Sequence, residues 1–175
     1  MAKRFRIPLF ARVIFLVAGI LLFLMVAALC YGEEGVLRDA QRNEQPPVCD
    51  AELWKYVYNP SRLEIKNPCI RVTGEIRSIR KEKDGDYHIL IRLDPKFRHL
   101  LNKTNGGLLV VEPVCQIKVG RERQNAKDAC RGFPKSKITD IPEGGTRVVI
   151  TGSYVLDLHH GWMEIHPATI IAPLQ

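Results

Sequence analysis

Histidine and carboxylate side chains cluster at two places in the C-terminal two-thirds of this sequence. The first cluster contains Asp84, Asp86 and His88, in the stretch KDGDYH. The second runs from residue 157 to residue 166 and reads DLHHGWMEIH. Imidazole and carboxylate groups suit divalent transition metals such as zinc, manganese, iron or nickel, and they can also act as acid and base in hydrolysis. We therefore predict a candidate site where these two stretches meet.

The candidate residues divide into two groups by the chemistry expected of them. A divalent transition metal ion would be held by Asp157, His159 and His160. The residues expected to contact another ligand are Asp86, His88, Arg92, Trp162, Glu164 and His166. Neither His160 nor His166 is expected to belong to the core.

A purely structural interpretation of the same residues stands beside this one. Asp84-Gly85-Asp86 is ordinary turn chemistry, and His160-Gly161 suits a turn with a left-handed position. In this interpretation, Glu164 and His166 pair with Arg77 or Arg92 on a solvated face of the sheet.

The absence of common catalytic motifs also bears on function. The sequence contains no recognisable serine or cysteine nucleophile motif and no glycine-rich loop that would cradle a phosphate. The sequence therefore favours a binding or interaction module over an enzyme. A metal-dependent hydrolase, acting for example on phosphodiesters, is the alternative.

Five stretches with the period-2 alternation of half-buried strands position these residues. They begin near residues 69, 87, 108, 147 and 162. Asp84-Gly85 marks a tight turn between the first two strands, and Gly74 inside the first strand indicates a bulge or sharp bend. A short helix near residues 123–130 lies between the third and fourth strands. This order predicts a mainly-β domain, a five-stranded OB-like Greek-key barrel, with a small β-sandwich as the alternative.

The N-terminal segment predicts export across a membrane. Residues 1–12 carry four basic side chains and no acid, and the run from Val13 to Tyr31 has no charged residue. A run of this length can cross the hydrocarbon core as a single helix, whereas cleaved signal peptides usually have shorter apolar regions. We expect a single-pass anchor in the cell membrane with an extracytoplasmic C-terminal domain. The alternative is a secreted or periplasmic form, cleaved near Gly32.

These features divide the chain into three parts: an anchor or signal segment at 1–32, a polar linker at 33–48, and the β-domain at 49–175. The whole chain carries a net charge of +7, but beyond residue 12 it has 22 Lys and Arg against 19 Asp and Glu, or +3. This modest charge disfavours a nucleic-acid partner. The partners expected are the membrane, through the N-terminal helix, and an extracytoplasmic protein, peptide or anionic polymer.

Four cysteines outside the apolar run agree with an oxidising compartment. Four cysteines allow three pairings, and sequence proximity favours Cys49–Cys69 and Cys115–Cys130. None of the four belongs to a C-x-x-C pair, which argues against a zinc–thiolate site. A short helix capped by Asp50 is expected directly after the first cysteine, ending before Asn59 and Pro60.

Several of these stretches together resemble a group of uncharacterised exported bacterial proteins with OB-like folds. The resemblance covers about residues 69–171 and is carried by VTG at 72–74, DGDYH at 84–88, LDP at 93–95 and YVLD…HGWMEIHP at 154–167. It implies the architecture and the export of the chain. It implies no catalytic residue, since the group has no established activity.

Overall fold

The alternating stretches of the sequence form a five-stranded sheet in the computed structural model, which describes residues 46–102 and 105–174. The strands are β1 (Leu63–Lys81), β2 (Tyr87–Leu93), β3 (Leu109–Val111), β4 (Arg147–Asp157) and β5 (Met163–Pro173). The prediction of a mainly-β domain with five strands is confirmed.

The strand order is β1-β2-β3-β5-β4, and the sheet closes on itself because β4 also pairs with β1. All neighbours are antiparallel except β3 and β5, which are parallel. The closed sheet is irregular, since β3 has only three residues and the registers of β1 with β2, β1 with β4 and β4 with β5 all shift. The register shifts let the long strand β1 pair with both β2 and β4.

Strand β1 pairs with β4 from Leu63 to Glu75 and with β2 from Gly74 to Lys81. Gly74 lies where these two pairings overlap. A Cβ atom at this position would lie 2.5 Å from the carbonyl oxygen of Arg92, so the close approach of the two strands requires glycine. The strand begins six residues earlier than the sequence predicted. Its first four residues alternate apolar and polar side chains, but Asn67 and Pro68 interrupt the pattern before Cys69, and this part is mostly exposed.

The barrel core is built from the inward-facing side chains of all five strands. Its fully or almost fully buried members are Val72, Ile76, Ile89, Ile91, Leu93, Leu109, Val111, Val148, Ile150, Met163, Ile165, Ala168 and Ile171. The predicted alternation on β2, with Ile89, Ile91 and Leu93 facing one way, is confirmed.

A second apolar cluster covers part of the sheet from the outside. It consists of Leu53, Val57, Leu63, Val114, Cys115 and Val155. Disulfide Cys49–Cys69 attaches the N-terminal part of the cover to β1, and Cys115–Cys130 joins the segment after β3 to the insertion that follows it. Both pairings are as the sequence predicted.

The helices in the described residues are short. The short helix expected after Asp50 is a 3-10 helix, Ala51–Tyr56, and Asp50 Oδ1 accepts the Glu52 N–H at 3.0 Å as predicted for a cap. Further 3-10 helices are Pro60–Arg62, Pro95–Leu100 and Lys135–Lys137. One α-helix, α1 (Gln124–Ala129), lies where the sequence predicted a helix in the insertion between β3 and β4.

The predicted anchor lies outside the described residues, as does most of the predicted linker. Among the residues that the structure describes, no helix is long and apolar enough to cross a membrane. The residues from Pro47 onward form one compact unit.

Candidate functional site

Ionisable side chains collect on the outer face of the sheet, opposite the barrel core. On β5, Met163 and Ile165 belong to the core, so the intervening Glu164 and the following His166 point to the other face. Glu112 directly after β3 and His88 on β2 alternate with core residues in the same way. All four of these polar side chains are buried, because the covering segments lie over this face.

Glu112 lies between two histidines on neighbouring strands. His88 Nδ1 is 2.9 Å from Glu112 Oε1, and His166 Nδ1 is 2.9 Å from Glu112 Oε2. The contacts follow from topology, since β3 pairs with β2 on one side and with β5 on the other. An ionised carboxylate only accepts hydrogen bonds, so each Nδ1 carries a proton towards it.

Arg62 provides a permanent positive charge for the carboxylates of this face. Its guanidinium group forms an ion pair with Asp157 and lies 3.6 Å from Glu112 Oε2 and 3.9 Å from Glu164 Oε2. The Arg62 side chain is 13% exposed, and the three carboxylates are buried. Because buried charges need compensation, Arg62 holds these three acids together.

The loop between β4 and β5 is organised by the buried carboxylate of Asp157. Its Oδ1 atom accepts the backbone N–H groups of His159 at 2.7 Å and His160 at 3.1 Å. Its Oδ2 atom lies 3.0 Å from His160 Nδ1. Gly161 follows with a φ of 75°, a left-handed conformation that favours glycine. Asp157 therefore shapes the turn, and the left-handed position at Gly161 agrees with the turn that the structural interpretation expected at His160-Gly161.

Trp162 lies between two of the histidines. Its ring stacks on His160, with centroids 4.3 Å apart and planes at 8°, and it meets the edge of His88 at 5.9 Å. Its indole N–H donates to Glu164 Oε1 at 2.5 Å. The aromatic ring is therefore held in one orientation by the buried carboxylate beneath it.

Burial and hydrogen bonding act against each other on the pKa values of this network. Burial alone raises the pKa of Glu112, but hydrogen bonds from His166 and His88 bring it well below its usual range. Burial lowers the pKa of His166, yet its contacts with Glu112 and Glu164 raise it to about 10. For Asp157, burial raises the pKa, and the His160 hydrogen bond and the Arg62 charge produce a net lowering.

Asp86 behaves differently from these acids. Burial raises its pKa to about 7, although the nearby His166 acts to lower it. One of its oxygens accepts the Cys115 N–H at 2.7 Å, which fixes the carboxylate beside the second disulfide. With a pKa of about 7, the buried carboxyl group of Asp86 exchanges between its protonated and ionised forms near neutral pH.

An open cleft of about 420 Å³ lies above this network. It is lined by Tyr58, Asn59, Arg62, Arg80, Glu82, Asp84, His88, Glu112, Asp157, His159, His160, Trp162 and Glu164. Five carboxylates therefore face two guanidinium groups. Both the turn before β2 and the loop between β4 and β5 contribute, as expected for one shared site.

The predicted site residues take three different positions. His88, Trp162 and Glu164 line the cleft, and so does the predicted metal set of Asp157, His159 and His160. Asp86 and His166 are buried beside the cleft without lining it. Arg92 is exposed on β2, pairs in register with Glu75 of β1 and does not line the cleft.

Two expectations about burial are wrong. His166 was expected outside the core but is 1% exposed, because the Ala51–Tyr56 helix contacts β5 and the side chains of Glu112 and Glu164 lie against the His166 ring. Glu164 and His166 do not pair with Arg77 or Arg92 on a solvated face. Glu164 lies near Arg62 instead, and Arg77 pairs with Glu75.

Sequence reasoning missed Arg62 and Glu112. Glu112 had a usable signal, since it is the one charged residue in the apolar run from Leu108 to Val114. A lone carboxylate in such a run must find partners when the strand is buried. Arg62 had no comparable signal, because it follows a polar Asn-Pro-Ser turn and resembles many exposed arginines.

Two sets of residues in the described part of the chain could hold a metal ion. One ligand atom from each of Asp86, Glu112 and His166 lies within 4.8 Å of the others, and the same holds for Asp157, His160 and Glu164. The second set overlaps the predicted metal site at Asp157 and His160, with Glu164 in place of His159. Cys115 and Cys130 also lie near Asp86, but their sulfurs are bonded to each other and are not thiolate ligands.

The arrangement can bind a cationic group, hold a metal ion or move a proton at an imidazole. No protein-family model matches this sequence, and no curated protein shows a significant match to it. The choice among these chemistries therefore depends on the geometry of the cleft and of the network beneath it.

Proposed function

We propose that this chain is a membrane-tethered, extracytoplasmic OB-like module that binds a ligand in the outer cleft. The closed strand order, with the insertion between β3 and β4, supports the OB-like assignment. The uncharged run from Val13 to Tyr31 supports the membrane tether. A cleft of about 420 Å³ is in the usual size range of small-molecule sites.

The excess of carboxylates in the cleft carries the choice of ligand. Five acids face two arginines, so the cleft favours a cationic group over an anionic polymer. Trp162 adds an aromatic ring held rigidly by Glu164, and a cation over such a ring is stabilised further. The ligand class proposed is a lysine- or arginine-bearing peptide segment of an extracytoplasmic partner.

Binding of charged peptides tests this proposal directly. The full-length chain in detergent, with a chelator present, is titrated with decalysine and with decaglutamate, and binding is followed by microscale thermophoresis. Decalysine should bind and decaglutamate should not. Trp162→Ala should weaken decalysine binding by about fivefold, since an aromatic platform contributes about 1 kcal/mol.

A histidine remote from the cleft supplies the matched control. His99 is exposed on the Pro95–Leu100 helix and does not line the cleft, so His99→Ala should bind decalysine like the unaltered chain. Equal binding of decalysine by the Trp162→Ala variant would place the interaction elsewhere and refute the cleft as its site.

A metal-dependent hydrolase is the second candidate, and one observation favours it. His160 is 54% exposed, while its Nδ1 atom lies 3.0 Å from the buried Asp157 carboxylate, which leaves Nε2 facing the solvent. A histidine oriented in this way can act as a general base. Cleavage of bis(p-nitrophenyl) phosphate by the zinc- or manganese-loaded chain, lost in His160→Ala, would support this candidate. No cleavage by the loaded chain would exclude the hydrolase, and equal cleavage by both chains would exclude His160 as its base.

A further inference from the structure

His166 has a buried ring nitrogen that contacts no hydrogen-bonding partner among the described residues. Its Nδ1 atom lies 3.2 Å from Glu164 Oε2 and 2.9 Å from Glu112 Oε2. Its Nε2 atom is buried and has no partner. A buried polar atom without a partner costs free energy, so the fold gains if a ligand completes this nitrogen.

Two carboxylates converge on the same imidazole, one from the residue before β2 and one from the residue after β3. One ligand atom from each of Asp86, Glu112 and His166 lies within 4.8 Å of the others, and all three side chains are buried. Atoms that each lie about 2.0–2.2 Å from one metal ion are closer to one another than 4.8 Å. A small inward movement of the three side chains would therefore let them bind the same ion. Asp86 is already held in place by the Cys115 N–H.

The side chains of this region leave a net negative charge, because their cations are Arg62 and the protonated His166 and the carboxylates outnumber them. Four buried carboxylates lie on the outer face, those of Asp86, Glu112, Asp157 and Glu164. The ion pairs of Arg62 are with the last three of these, and Asp86 is in none of them. A divalent cation beside Asp86 would offset the remaining charge where burial makes the imbalance most costly.

Glu164 gives the imidazole the orientation found at metal sites. Histidine ligands commonly donate one ring N–H to a carboxylate, which fixes the tautomer and leaves the other nitrogen to bind the metal. His166 Nδ1 carries its proton towards Glu164 and Glu112, so the unpartnered Nε2 is the nitrogen available to an ion, which would displace the proton that Nε2 carries in the protonated ring.

We propose that Asp86, Glu112 and His166 bind one divalent first-row transition metal ion, with Glu164 as the carboxylate that orients His166. One imidazole and two carboxylates suit manganese, iron or zinc better than the softer ions that thiolates select. This site is separate from the exposed set of Asp157 and His160. It goes beyond the proposed cleft function, and the two can fail independently because decalysine binding is measured with a chelator present.

Metal uptake by the full-length chain tests the site. The chain in detergent is stripped with a chelator, dialysed against zinc or manganese chloride, and assayed by inductively coupled plasma mass spectrometry and titration. One equivalent should bind. Asp86→Asn keeps the side-chain size and an acceptor for the Cys115 N–H, and it should weaken the affinity by about a hundredfold or more. His160→Ala and His99→Ala should bind like the unaltered chain.

A spectroscopic measurement protects the test against loss of folding. Pulsed electron paramagnetic resonance of the manganese-loaded chain should show coupling to one imidazole nitrogen, and this coupling should persist in His160→Ala. Circular dichroism of Asp86→Asn must match the unaltered chain, and if it does not, Glu112→Gln serves as the second ligand variant. The proposal is overturned if neither metal binds, if no nitrogen coupling is seen, or if His160→Ala loses the metal while the ligand variants keep it.

Discussion

Arg62 is the residue on which the charge balance of the outer face depends most directly. It forms an ion pair with Asp157 and lies near both Glu112 and Glu164, and all three acids are buried. Its own stem is largely covered as well. Removing a single partner from such a network leaves uncompensated charges in a region of low polarity, which is costlier than replacing the whole network with apolar residues.

We predict that Arg62→Met destabilises the domain by about 3–5 kcal/mol, because it leaves three buried carboxylates without their shared cation. Urea unfolding followed by tryptophan fluorescence measures the change. Arg77→Met is the matched control, since Arg77 is substantially exposed and pairs with Glu75 at the surface. It should cost less than about 1 kcal/mol. Similar losses in the two variants would show that Arg62 acts only as a surface charge.

Single residues also show where sequence reasoning reaches its limit at the site. His88, Asp157 and Trp162 were identified because imidazole, carboxylate and indole groups stand out by type. The burial of His166 was not, since period-2 alternation assigns a residue to a face but cannot say that another segment covers this face. That cover comes from the Ala51–Tyr56 helix and the region after β3, which are remote in sequence.

At the scale of elements, the close approach of the paired strands β4 and β5 depends on Gly152. A Cβ atom there would lie 2.5 Å from Ile165 Cγ2 and 2.6 Å from the Pro167 carbonyl oxygen. The registers of the two strands shift on both sides of this residue. Both contacts belong to the strand that carries Glu164 and His166, so the glycine also determines how closely the site residues approach β4.

We predict that Gly152→Ala destabilises the domain by about 1–3 kcal/mol through overpacking against a backbone that cannot move aside. Gly144→Ala provides the control, because a Cβ atom at residue 144 meets nothing within 4 Å. Thermal unfolding by circular dichroism measures both variants, and only Gly152→Ala should lower the melting temperature. An unchanged melting temperature for Gly152→Ala would mean that the two strands tolerate a wider separation.

Elements with strong local signals were predictable, and elements that depend on distant contacts were not. The turn at Asp84-Gly85 and the alternation on β2 are local features, and both are present in the structure. The first part of β1, from Leu63 to Lys66, alternates over only four residues before Asn67 and Pro68 interrupt the pattern, and it becomes a strand because it pairs with the end of β4. Its position therefore depends on residues about 90 positions away.

At the scale of the whole molecule, two disulfides connect the covering segments to the β-domain. Cys49–Cys69 closes a separation of 20 residues and ties the Ala51–Tyr56 segment to β1. Cys115–Cys130 closes a separation of 15 residues and ties the end of α1 to the segment that follows β3, close to Asp86. In the chain-entropy model, a disulfide that closes a loop of this length stabilises the folded domain by about 3 kcal/mol. The pairing was predictable from sequence proximity, whereas the site that the cover encloses was not.

These disulfides agree with export, and the uncharged run from Val13 to Tyr31 predicts that the chain stays attached to the membrane after export. In membranes from a bacterial expression host, the full-length chain should remain in the pellet after extraction with alkaline carbonate, because burial of so many apolar side chains outweighs surface charge. A variant with Leu22→Arg and Val26→Arg is the control. Each arginine near the middle of the run costs about 2.5–3.5 kcal/mol on insertion scales, so this variant should lose its attachment. Mass spectrometry of the unaltered protein decides against an anchor if it finds a soluble form that begins near Glu33.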